Sequence, residues 1–101
     1  MTDEPTTLYA KLLGETAEIG WTQLQPFFAR GALLSVEEGL DLIEVAQAVA
    51  LDDHLRFAAW LTEGRVGKVS QDSALDYVQR DPELWAVVVS PWVLIQERSV
   101  C

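Results

Sequence analysis

The sequence predicts an α+β domain, with about four helices packed on a small, mostly antiparallel β-sheet. Three observations carry that expectation. The segments Trp85–Val89 and Trp92–Ile95 are apolar on both alternating faces and rich in valine and tryptophan, as in strands inside a sheet covered on both sides. The first thirty residues instead repeat their apolar positions at helical spacing. Finally, 101 residues, half of them hydrophobic and 23% charged, give room for one globular domain with one modest core. The expected domain is 1–101, with its ordered part between about residues 5 and 97.

Along the chain, Leu8, Tyr9, Leu12, Leu13, Thr16 and Ala17 form one helical face. They predict a first helix from about Pro5 to Glu18, broken by Gly20. Thr22-Gln23-Leu24-Gln25 fits a capping box and opens a second helix, with Trp21 as its hydrophobic staple and Pro26 near the first turn. Leu24, Phe27 and Phe28 are its apolar side, and Gly31 is placed for a left-handed C-cap. Ala32 to Val36 reads as a short strand followed by a turn at Glu37-Glu38-Gly39.

Residues 40–51 permit two readings. Leu42, Ile43, Ala46, Val49 and Ala50 make a helical stripe, and the alanines favour a helix. The preceding strand and the Gly39 turn favour a hairpin, and a strand is the preferred reading. Asp52 or Asp53 then caps a third helix running through Thr62, with Leu55, Ala58, Ala59 and Leu61 facing inward and Gly64 ending it. Arg65 to Val69 is a possible strand. Ser70 caps a fourth helix, with Asp72 in its first turn. Asp81-Pro82-Glu83 suggests one further helical turn. Pro91, which lacks an amide, implies a bulge, a bend or an edge position between the two final strands.

Sixteen acidic residues against seven basic ones give a formal net charge of −9, spread over both halves of the chain. That disfavours a binder of nucleic acid or of anionic membranes. No helix is expected to carry a basic face, since Arg56, Arg65, Lys68 and Arg80 are scattered. The start, Met1-Thr2-Asp3-Glu4, has none of the features of a signal peptide. The longest apolar stretch, Leu84 to Ile95, falls short of the roughly 20 residues that a membrane span needs. The expectation is a soluble cytoplasmic protein. Its single cysteine, Cys101, cannot form an internal disulfide.

A family resemblance accompanies these features. Leu8-Tyr9-Ala10-Lys11-Leu12-Leu13-Gly14-Glu15-Thr16-Ala17 leads into Trp21-Thr22-Gln23-Leu24-Gln25-Pro26-Phe27-Phe28-Ala29-Arg30-Gly31. Leu40-Asp41-Leu42-Ile43-Glu44-Val45-Ala46, Asp52-Asp53, Trp60 and Gly64 follow, and the finish is Leu84-Trp85-Ala86-Val87-Val88-Val89-Ser90-Pro91-Trp92-Val93-Leu94-Ile95-Gln96. Over roughly residues 8–97 the chain resembles a family of small bacterial proteins known as domain of unknown function 2288. The resemblance implies a bacterial, free-standing small domain. It transfers no catalytic residue and no cofactor.

Two groups of residues are candidates for function. Asp52, Asp53 and His54, with Glu44 as a possible neighbour, offer carboxylates and an imidazole that could hold a divalent metal or move a proton. The simpler reading is that the two acids cap a helix, and that Glu44 is exposed or pairs with Arg30, Arg56 or Arg65. Trp21, Trp60, Trp85 and Trp92 could make an aromatic pocket or an interface, or could be core. Trp85 and Trp92 are seven residues apart, so an uninterrupted strand would put them on opposite faces, whereas a bulge at Pro91 would bring them to one side.

Ser35 and Ser90 lie in no nucleophile elbow. Gly64-Arg65-Val66-Gly67-Lys68 lacks phosphate-loop spacing. With no convincing catalytic set and no cofactor motif, the favoured function is a non-catalytic protein-interaction or self-associating domain. The alternative is a metal-binding protein or metal-assisted hydrolase using Glu44, Asp52, Asp53 and His54.

Overall fold

The computed structural model describes residues 5–97. Its order is α1 (Pro5–Glu15), β1 (Ala17–Ile19), α2 (Trp21–Ala29), β2 (Leu33–Val36), α3 (Leu42–Ala50), α4 (His54–Thr62), β3 (Val66–Lys68), α5 (Gln71–Arg80), β4 (Leu84–Val89) and β5 (Trp92–Glu97). The fold is α+β as expected, with five helices rather than about four. The five strands lie in the order β1-β4-β5-β2-β3. All neighbours are antiparallel except β2 and β5, which run parallel with Leu34 opposite Leu94.

Alternation along the strands divides the core in two. Leu34, Val36, Val66, Val87 and Leu94 point to one face, where they meet Leu12 of α1 and most of α3. Leu33, Leu84, Ala86, Val93 and Ile95 point to the other, against Trp21 and Leu24 of α2 and Ala74 of α5. Each fully buried aliphatic side chain stabilises by about 1.5–3 kcal/mol relative to exposure, so the double-sided hairpin β4–β5 is the centre of the fold. Its turn is Ser90-Pro91, joined by a cis peptide bond. The expected bend at Pro91 is thus a full reversal, with Val89 paired to Trp92.

The structure corrects several local expectations. Residues 42–50 form a helix, not a strand. The Asp41 carboxylate caps it, accepting from the amides of Ile43 and Glu44 at 2.9 and 3.4 Å. A hairpin with β2 is impossible, because β5 and β3 already occupy both sides of that strand. The first helix ends at Glu15, and Ala17–Ile19 become an edge strand paired to β4.

Helix α2 begins at Trp21 with Gly20 as its N-cap and no side-chain cap bond. The expected Thr22–Gln25 box therefore already lies inside the first turn, and Pro26 is the sixth residue of the helix. Residues 81–83 are not a helical turn. Asp81 takes a left-handed conformation (φ 47°) and its amide donates to the Tyr77 carbonyl, which closes α5.

Helix α4 is capped by Asp53 as anticipated, but it faces the other way. Trp60 is its only buried residue, with Phe57 half-buried beside it, while Leu55, Ala58, Ala59 and Leu61 point to solvent. The indole joins the same buried cluster as α3 and Val66 of β3, and its burial sets the rotation of the helix. The glycines at the ends of α2 and α4, Gly31 and Gly64, have φ of 70° and 75°, a conformation in which a Cβ is strained.

Candidate functional site

The four tryptophans do not form one surface. Trp21 is 3% exposed and stacks obliquely on Phe28 and Tyr77, with ring centroids 5.6 and 5.1 Å away. Burial raises the Tyr77 phenol above its ordinary value, with the Glu97 carboxylate adding to the effect. Trp60, Trp85 and Trp92 belong to the opposite core. Because the chain reverses at Ser90-Pro91, Trp85 and Trp92 share one face of the sheet. Trp60 carries the Arg56 guanidinium 5.0 Å from its ring, and Trp92 the Lys68 ammonium at 5.6 Å.

The polar candidates separate as well. Glu44, in the first turn of α3, forms an ion pair with Arg56 of α4, one of the partners considered from the sequence. The Asp53 carboxylate accepts from the Arg56 amide at 3.3 Å. Asp52 holds a left-handed backbone (φ 60°), and its Oδ2 stands 3.2 Å from His54 Nε2, with both side chains at least 80% exposed. Among the described residues, no three His, Cys, Asp or Glu side chains are placed to hold a metal ion.

Asp52, Asp53 and His54 nevertheless share a cavity of about 380 Å³ with Val49, Phe57, Ser90, Pro91 and Trp92. The turn between α3 and α4 thus meets the turn between β4 and β5. Phe57, Ser90 and Pro91 were not assigned to a site from the sequence. The signal available was a pair of polar turns, Asp-Asp-His and Ser-Pro-Trp, but nothing local says that they meet.

Two other grooves flank the sheet. One, of about 450 Å³, runs between α2 and α5 and is lined by Trp21, Gln25, Phe28, Gln71, Ala74, Leu75 and Val78. The second, of about 430 Å³, lies over Trp85 and Gln96 beside Asp41. Asp41 also accepts the Tyr9 hydroxyl at 2.7 Å, and that bond raises the Tyr9 phenol. Away from these grooves, Arg80 of α5 bridges Asp76 at 2.6 Å and Glu97 of β5 at 2.8 Å. It holds both carboxyls below their ordinary values.

The sequence profile of the family described as protein of unknown function (DUF2288) matches residues 7–97. The chain belongs to the DUF2288 family. The NMR solution structure of PA1075 from Pseudomonas aeruginosa is 63% identical to it, covering 99% of this chain and 93% of that one, with a TM-score of 0.83. No curated protein matches. Membership of DUF2288 therefore agrees with the resemblance seen in the sequence and with the fold. No helix among the described residues is long and apolar enough to cross a membrane.

Proposed function

We propose that this DUF2288 domain is a non-catalytic cytoplasmic protein that works by association, and that the outward face of α4 is where a second copy docks. The observation that carries the reading is Leu55, which is 86% exposed at the N-terminal end of an uncharged helical stripe. Leu55, Ala58, Ala59 and Thr62 follow i, i+3, i+4, i+7 spacing and all face solvent, the pattern of a helix face meant to be covered. Two alanines let helix backbones approach closely, and a two-fold axis across the stripe would pair it with itself.

Charge favours a second copy over a basic partner. The molecule carries −9, so a basic protein would be drawn to acidic surface rather than to this neutral stripe. Two acidic copies repel one another least along a face that carries no charge. The metal-assisted alternative has less support, because Glu44 is engaged with Arg56 and Asp53 with an amide.

Light scattering across a concentration series tests the proposal. A dimer should form reversibly and should strengthen with added salt, which screens the repulsion between like-charged copies. Leu55→Asp should leave a monomer, with an unfolding midpoint that matches the wild type when both are compared at low protein concentration. A chain that stays monomeric at the highest concentration, at both low and high salt, overturns it.

A further inference from the structure

We propose that the cavity between the α3–α4 turn and the β4–β5 turn binds a monovalent organic cation of the alkylammonium class. This goes beyond the association reading and does not depend on it.

The lining is mixed in a particular way. Of its eight residues, two are carboxylates, Asp52 and Asp53, and none is lysine or arginine. Phe57 and Trp92 supply carbocyclic aromatic faces, Pro91 and Val49 add apolar wall, and Ser90 and His54 complete the lining, with His54 Nε2 3.2 Å from Asp52 Oδ2. An anion would meet two like charges. A wholly apolar ligand would make no use of the two carboxylates, of which Asp52 is 80% exposed and stands 3.2 Å from His54 Nε2. A small hard metal ion needs three or more donors converging on one point, and the described residues bring no such group together. A diffuse cation with alkyl substituents has none of these difficulties. Its charge is spread over several ångströms, so carboxylates at the rim and aromatic faces in the wall attract it without converging on one atom.

Two features strengthen the assignment. The Trp92 indole already takes a cation in the structure, since the Lys68 ammonium stands 5.6 Å from its ring centroid although Lys68 is not part of the lining. The volume, about 380 Å³, falls in the range of small-molecule sites and leaves room for a quaternary ammonium head and its chain. Asp52, 80% exposed, holds a left-handed conformation (φ 60°) that aspartate and asparagine tolerate better than other side chains. Asp52→Asn therefore removes the charge and keeps the turn.

The test is a titration of the full chain with choline chloride, followed by amide and indole NMR shifts at fixed ionic strength. The control is the neutral isostere of choline in which carbon replaces the quaternary nitrogen. Choline should give saturable shifts at residues 52–54 and at the Trp92 indole, with millimolar affinity, while the isostere gives none there. Asp52→Asn should weaken binding by about threefold, the scale of one exposed charge pair. Phe57→Leu, which keeps an apolar wall and removes the π face, should weaken it as well. The proposal fails if choline produces no saturable shift at these residues, if the isostere shifts them equally, or if neither variant changes the affinity.

Discussion

Helices α3 and α4 are each nine residues long and are separated by three residues. Both are capped by an aspartate and both are largely apolar. α3 buries Leu42, Ile43, Val45, Ala46 and Ala48, whereas α4 buries Trp60 alone. The difference lies in what each helix rests on. α3 lies across the sheet between α1 and the β4–β5 hairpin, so a wide arc of its surface is covered. α4 touches α3 and the short strand β3, and one indole is enough to fill that contact. Apolar content shows that a helix has a face to cover, and the layer beneath decides whether the domain covers it or leaves it in solvent.

The same chemical change made on both helices gives the largest contrast. Leu42 is 5% exposed and Leu55 86%. Leu42→Ala should destabilise by about 2–5 kcal/mol, since it removes buried surface and leaves a cavity. Leu55→Ala should stay within about 0.5 kcal/mol of the wild type, because it deletes a side chain already in water and alanine favours helix at least as well. Urea unfolding at low protein concentration measures both. A large loss from Leu55→Ala under those conditions would mean that α4 is covered within one molecule, and the contrast would vanish.

This contrast also shows what the sequence could and could not convey. The β4–β5 pair was legible, because a run such as Trp85-Ala86-Val87-Val88-Val89 is apolar on both sides and fits few places other than the middle of a sheet. The α3 segment was not, because Ile43, Val45, Val49 and the intervening alanines satisfy a period of two as well as one of 3.6. Only the occupancy of both sides of β2, a long-range fact, excludes the strand. The inward face assigned to α4 failed for a related reason, since the periodicity of Leu55, Ala58 and Ala59 is real but says nothing about which side the sheet is on. β1 was hidden because Ala17 extends the helical pattern of α1, and pairing with β4 overrides that pattern. Of the cavity beside α4, the sequence offered Asp52, Asp53, His54 and Trp92 in two separate groups, but not their meeting across the fold.

The caps extend the comparison at smaller scale. Asp41 accepts two amides of α3 and the Tyr9 hydroxyl of α1, so it ties two helices together. Asp53 accepts one amide of α4 at a longer distance. Asp41→Ala should cost about 1–2 kcal/mol and Asp53→Ala about 0.5–1 kcal/mol, both within the range measured for N-cap removal. The two unfolding curves, compared in one buffer, check the order. Equal losses would mean that the bond from Tyr9 to Asp41 adds nothing.

The smallest effect concerns α5, the counterpart of α4 on the other side of the sheet, which is fastened to β5 by charge as well as by packing. Arg80 holds Asp76 and Glu97 below their ordinary values. A carboxyl whose value is lowered in the folded state adds stability that is fully present above its unfolded value, about pH 4. That stability is lost as the pH falls through the lowered folded value. Arg80→Ala should therefore be slightly less stable than the wild type at neutral pH, and the gap should close as the solution is acidified below about pH 4. Leu55→Ala, which touches no charge, should track the wild type across the same range. Thermal unfolding midpoints along a pH series follow both. A gap for Arg80→Ala that stays constant down to about pH 2 would show that the arginine acts through its aliphatic stem and not through its two carboxylates.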